Sequence, residues 1–162
     1  MTIKNLEPEH WNDVKRIYQA GIDTGYATFE KSIPEWNIWN KNHLIHSRLI
    51  CEIDKKVAGW VALTSVSGRC AYQGVAEVSI YIDIAFQGIG IGFVLLEHLV
   101  SESEINGIWT IQSSIFETNK ASIRLHEKSG FRKVGYREHI SQLDDVWKNI
   151  VLFEKRSKRI GL

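Results

Sequence analysis

Apolar residues first recur at helical spacing between residues 7 and 21, where Trp11, Val14, Ile17 and Tyr18 share one stripe and Gly21 lies near the stop. A second helix is predicted from Pro34 to His46, with the proline suited to a first turn and Trp36, Trp39 and Ile45 as apolar positions. Between them Gly25-Tyr26-Ala27-Thr28-Phe29-Glu30 reads as a loop. The pattern then turns strand-like. Leu49–Ile53 and Val57–Thr64 are apolar runs separated by the polar turn Asp54-Lys55-Lys56, which predicts a hairpin. Ser65–Gly74 has loop composition. Val75–Ile84 reads as a strand in which Val78, Ile80 and Ile82 alternate with Glu77, Ser79 and Asp83.

The clearest helix spans Gly90–Glu102, with Ile91, Val94, Leu95, Leu99 and Val100 as its stripe. Trp109–Phe116 is a further strand. Asn119–Ser129 is a helix that ends at Gly130, the residue expected at a left-handed cap. Phe131–Tyr136 and Val146–Glu154 close the chain as strands. This order describes a mixed α/β fold. Neither repeats nor linkers rich in Pro, Gly or Ser interrupt it, so residues 1–162 are expected to form one domain, with 155–162 as a basic tail.

Charge narrows the function classes. Twenty Lys and Arg against nineteen Asp and Glu leave a formal +1, which weighs against nucleic acid as the main partner. The one dense basic run, Lys155-Arg156-Ser157-Lys158-Arg159, reads as a solvated terminus. No stretch reaches the roughly 20 apolar residues that span a bilayer, and the first residues form no secretory h-region. A cytoplasmic protein without a membrane partner is expected. Cys51 and Cys70 lie in or near strand-like runs and read as small buried hydrophobes. The histidines form neither H-E-x-x-H nor a Cys/His cluster, so no metal is expected. The six tryptophans are explained mostly by core burial.

Chemistry concentrates between the strand ending near Ile84 and the helix after it. Gly88, Gly90 and Gly92 alternate there, and missing β-carbons let backbone N–H groups approach an anion. The helix adds unpaired N–H groups and the positive end of its dipole, with no Asp or Glu in the first turn. A diphosphate suits such a loop. The dinucleotide fingerprint fails, because its third glycine would fall at Phe93. The P-loop fails as well, because Gly92 is followed by Phe93-Val94.

Gln87-Gly88-Ile89-Gly90-Ile91-Gly92 resembles the Q/R-x-x-G-x-G/A loop of the GNAT superfamily of N-acetyltransferases. Asn119 through Phe131 is similar to its N-x-x-[AS]-x-x-L-[YH]-x-x-x-G-F segment. The pieces Ile17-Tyr18, Ala27-Thr28-Phe29-Glu30, Ala76 through Ile82, Leu125-His126 and Val146-Trp147-Lys148 look like the phosphinothricin and methionine sulfoximine acetyltransferase branch. The resemblance implies a mostly antiparallel twisted sheet flanked by helices and splayed at an acetyl-CoA site. It also implies a homodimer, and an acceptor that is a small amine with an amino-acid-like skeleton.

An alkyl ammonium must lose a proton before it attacks a thioester. Glu77 is the candidate base, at the position the branch uses for proton handling, on one face with Ser79 and Tyr81. By the same resemblance, a backbone N–H within Ile80, Tyr81 and Ile82, foremost that of Ile82, polarises the carbonyl. His126 stands where many members place a tyrosine that protonates the thiolate; it is either that acid or a hydrogen-bonded structural histidine. Gln87, Gly88, Ile89, Gly90, Ile91 and Gly92 would hold the coenzyme. Asn119 would serve as arm ligand, helix cap or both, and Lys128 would lie near a phosphate. For the acceptor, Arg69 would meet a carboxylate, with Phe29, Glu30, Tyr72 and Glu77 in the same pocket. Direct attack in a ternary complex needs no acetyl-enzyme, and neither cysteine lies in a nucleophile motif. Acetylation of a polyamine, aminoglycoside or protein N-terminus is the alternative enzyme reading, and an acetyl-CoA-binding sensor the non-catalytic one.

Overall fold

In the computed structural model, which describes all residues Met1–Leu162, seven strands and four helices follow one another. They are β1 (Thr2–Asn5), α1 (Trp11–Asp23), α2 (Trp36–Asn42), β2 (Leu49–Ile53), β3 (Lys56–Ser65) and β4 (Val75–Ile82). Then come α3 (Ile91–Ile105), β5 (Thr110–Phe116), α4 (Lys120–Lys128), β6 (Arg132–Leu143) and β7 (Val146–Arg156). The strands form one sheet in the order β1-β2-β3-β4-β5-β7-β6. Every neighbouring pair is antiparallel except β4 and β5. That parallel pair requires a crossover, and α3 supplies it.

Each face of the sheet is covered by helices. On one side Ile91, Leu95, Leu96 and Leu99 of α3 pack with Val61, Leu63, Val78, Ile111 and Phe153, and Ile123 and Leu125 of α4 lie against them. On the other, Trp11, Val14, Ile17 and Tyr18 of α1 and Trp39 of α2 pack on Ile50, Trp60 and Ala62. Alternation along β4 sends Val78, Ile80 and Ile82 to the α3 side and Tyr81 to the α1 side. No helix is long and apolar enough to cross a membrane.

Several boundaries differ from the sequence expectation. β1 pairs with β2, although Thr2–Asn5 has a single apolar residue and no alternation to announce it. α1 continues past Gly21 to Asp23, after a 3₁₀ turn at Pro8–His10. α2 stops at Asn42, where His43 takes an extended conformation, and Ile45 is exposed. β4 ends at Ile82, and a 3₁₀ turn at Ile84–Phe86 leads into the glycine loop. β6 runs seven residues beyond Tyr136, to a two-residue turn at Asp144-Asp145.

The basic C-terminal segment begins inside β7 and is tethered. The Arg156 guanidinium donates to the carbonyls of Trp109, Ser157, Ile160 and Gly161, and Arg159 and Ser157 both bond to Glu104.

Candidate active site

β4 and β5 are paired over only three positions, Val75 with Thr110, Ala76 with Ile111 and Glu77 with Gln112. Beyond that rung the strands part. A cleft of about 700 Å³ fills the fork and extends over the glycine loop and α4. Divergence leaves β4 with a free edge. The Asp83 N–H donates to Ala58 of β3 and the Glu77 carbonyl accepts from Thr64 of β3, so odd-numbered residues of β4 bond toward β3. By strand alternation the N–H groups of Val78, Ile80 and Ile82 point to the side that β5 has left. The Ile82 carbonyl on that side accepts from the Gln87 side chain at 3.4 Å.

The loop is held at its entry. Asp83 accepts from the Ala85 N–H at 2.9 Å and from the Arg16 guanidinium of α1. Burial would push the Asp83 carboxyl up, but these donors outweigh it and hold the group below the usual carboxylate range. Gly88 and Gly90 adopt φ of 81° and 90°, a region that suits glycine, and nothing lies within 4 Å of where their β-carbons would stand. Gly92 differs. A β-carbon there would lie 2.8 Å from Leu125 Cδ2, so the third glycine serves the contact between α3 and α4. The first intrahelical bond runs from Val94 to the Gly90 carbonyl, and no side chain caps the helix. The N–H groups of Ile91, Gly92 and Phe93 are therefore free to meet an anion.

Opposite the loop, Asn119 caps α4 by accepting from the Ser122 N–H at 3.1 Å. Lys128 lies with its Nζ 5.1 Å from the Phe93 ring centroid, beside the first turn of α3. Both residues line the cleft. His126 is fully buried. Its Nδ1 lies 2.8 Å from the Ser122 carbonyl and so carries the proton, while Nε2 has no partner. Burial holds the ring below the ordinary histidine range, and the Ser122 contact only partly offsets this. The ring is thus held by a hydrogen bond through Nδ1, an arrangement compatible with either role expected for His126.

The far end of the cleft is bounded by the loop after α1. Phe29 packs edge-on against Phe116 with centroids 4.5 Å apart, and Lys31 pairs with Asp144 at the β6–β7 turn. Tyr81 stacks on Trp60 at 4.9 Å and lies 4.8 Å from Tyr18. Burial, with Tyr18 and Glu30 nearby, raises the Tyr81 phenol well above its ordinary value. Glu77 turns into the cleft, and its Oε2 accepts from Gln112 Nε2 at 3.0 Å.

The structure thus gathers Glu77, Phe29, Glu30, Ile80, Tyr81, Ile82, Gln87, Gly88, Gly90, Ile91, Gly92, Asn119, His126 and Lys128 around one cleft. It leaves out three predicted members. Ile89 is 58% exposed, and its side chain does not line the cleft. Arg69 and Tyr72 sit exposed at a 3₁₀ turn in the β3–β4 connection and are not among its walls. Proximity in sequence to Glu77 does not bring them in, because that connection extends beyond the closed end of the fork. The Arg69 side chain makes no ion pair or hydrogen bond in the protein. The Arg16–Asp83 clasp and Gln112 were not anticipated; strand pairing and helix packing, which no local motif encodes, bring them to the site.

Comparison with known proteins adds an independent line. Residues 11–131 match the acetyltransferase (GNAT) family. YwnH of Bacillus subtilis, provisionally named a phosphinothricin acetyltransferase, is 34% identical over 149 residues, covering 89% of this chain and 91% of that one. The phosphinothricin N-acetyltransferase of Alcaligenes faecalis is 26% identical over 161 residues, 95% and 81% of the two chains. A Sinorhizobium meliloti phosphinothricin acetyltransferase, solved in complex with acetyl-CoA, superposes with a TM-score of 0.87 at 22% identity, over 96% and 87% of the chains.

Proposed function

The chain belongs to the GNAT family of acetyltransferases, and from that premise we propose that it acetylates the α-amino group of a small amino-acid-like acceptor, of phosphinothricin, methionine sulfoximine or methionine sulfone type. The observation that carries this reading is the fork. A carboxylate, Glu77, stands where β4 and β5 part, beside a free strand edge and an uncapped helix N-terminus.

Acetyl-CoA, the cosubstrate, supplies an activated thioester, and the walls fit it. N–H groups of Ile91, Gly92 and Phe93, the dipole of α3 and Lys128 suit its phosphates. The open edge of β4 suits the pantetheine amides. In the ternary complex Glu77 accepts the ammonium proton, and the Ile80 N–H on the open edge, three residues along the strand, steadies the oxyanion that forms as nitrogen attacks. Ile82, about 16 Å from Glu77 at strand rise, is too distant to serve the same centre and faces the pantetheine arm instead. His126 in this reading shapes the cleft wall and stays outside the proton path. Arg69, an exposed cation on the β3–β4 connection beyond the closed end of the fork, lies outside the pocket in this reading.

The test is acetyl-CoA-dependent thiol release by the purified protein with phosphinothricin, methionine sulfoximine, methionine sulfone, a polyamine, an aminoglycoside and a short peptide. Turnover on the first three supports the proposal, and turnover confined to the others overturns the acceptor class. Arg69→Ala should leave the acceptor KM within about twofold of wild type, since the side chain lies outside the cleft. A KM raised about tenfold or more, the scale of a lost charge-assisted contact, would return Arg69 to the pocket.

We also propose a homodimer built on the β6–β7 hairpin. β6 is an unpaired edge of twelve residues, and Val134, Tyr136, Ile140, Val146 and Trp147 are exposed along the hairpin. Sedimentation should give twice the 18.6 kDa chain mass, and Trp147→Glu should halve it without unfolding the protein. A monomeric wild type overturns this assembly.

A further inference from the structure

Directly paired residues on neighbouring strands project their side chains to the same face of a sheet. One such row crosses five strands at the closed end of the fork: Thr64, Glu77, Gln112, Glu154 and Arg132. It is the last rung that β4 and β5 share. Along it Gln112 Nε2 donates to Glu77 Oε2 at 3.0 Å, and the Arg132 guanidinium donates to Glu154. Glu77 lines the cleft and Gln112 does not, so the amide approaches the carboxylate from the closed side. Oε1 of Glu77 has no partner in the protein.

We propose that Gln112 is a positioning residue for Glu77: its side-chain N–H holds Oε2 and so presents Oε1 to the attacking nitrogen. This rests on the reading of Glu77 as the base. A glutamine suits the task for two reasons. First, it is neutral, so it fixes the carboxylate without the counter-ion effect by which Arg or Lys would weaken a base. Second, it stands between Glu77 and Glu154, two strand spacings or about 10 Å apart, and Arg132 already balances the latter charge. The other titratable groups around Glu77 are Tyr81 on its own strand, Tyr18 of α1, Glu30 of the following loop, and His126, Arg124 and Lys128 of α4 across the cleft. None of these is a hydrogen-bond partner of its carboxylate, which makes the amide its one fixed contact.

The test uses the full-length protein with acetyl-CoA and methionine sulfone. Gln112→Met, which keeps the side-chain length and removes the donor, should lose about tenfold in kcat while acceptor KM and acetyl-CoA affinity are kept. In the Glu77→Gln background the same change should cost less than about twofold, because the group it positions is already gone. A Gln112→Met variant with wild-type kcat, or one whose loss is as large in the Glu77→Gln background, overturns the proposal alone. A fully active Glu77→Gln overturns the reading of the base and the proposal with it.

Discussion

Glu77→Gln should lower kcat by about 10²–10³-fold, within the range that a positioned general base contributes, while acetyl-CoA binds as before. The substitution keeps volume and hydrogen-bonding reach and removes only proton affinity. Glu77 is half-buried on a strand paired on both sides, and Gln112 can bond to an amide oxygen as it does to a carboxylate, so the fold is retained. Measuring kcat at saturating acceptor separates this from a binding defect, and the residual rate should rise with pH as more free amine becomes available. A variant with wild-type kcat would move the proton to another group, with Glu30 the next carboxylate in the cleft.

Trp60→Ala should be among the most destabilising single changes. Trp60 is 1% exposed, stacks on Tyr81 and meets Tyr18 and Trp39 edge-on, at centroid distances of 5.5 and 5.8 Å. Truncating a buried tryptophan costs about 3–5 kcal/mol, from lost transfer energy and the cavity left behind. For a domain of this size that corresponds to a melting temperature lower by roughly 6–20 °C. The indole N–H is buried without a partner, so its removal returns a small part of that cost. Because Trp60 floors Tyr81, which lines the acceptor end, the variant should also weaken acceptor binding well below the melting transition. Calorimetry and acceptor KM test the two effects separately. A shift under about 3 °C would mean that the aromatic layer refills the space.

The parts of the molecule legible in sequence are those whose chemistry is local. The glycine loop, the Asn119 cap and the stop at Gly130 each follow from one residue's backbone or side-chain preference, and the structure has all three. The outer half of β6 was illegible for a physical reason. Arg137–Gln142 is exposed on both faces, so no alternation marks it. Its one cue was the pair Asp144-Asp145, whose φ values of 49° and 62° are those of a tight hairpin turn. Ile45 misled in the opposite direction, an apolar residue at helical spacing that lies 83% exposed after the helix has ended. At the site, Glu77 could be found by alternation and resemblance. Gln112 could not, because only the register of a parallel pair 35 residues apart sets it beside Glu77.

Mechanically, the sheet is two stiff leaves, β1–β4 and β5–β7, stitched along three rungs at one end. β4 continues five residues past the last stitch, an arm of about 16 Å at strand rise. A flexure of only about 5° at the seam would swing the far end of that arm by roughly 1.4 Å, a displacement on the scale at which reacting atoms lose alignment. Small changes in packing around Gly74 and Trp109, where the stitching begins, are therefore amplified along the arm and felt at Ile82.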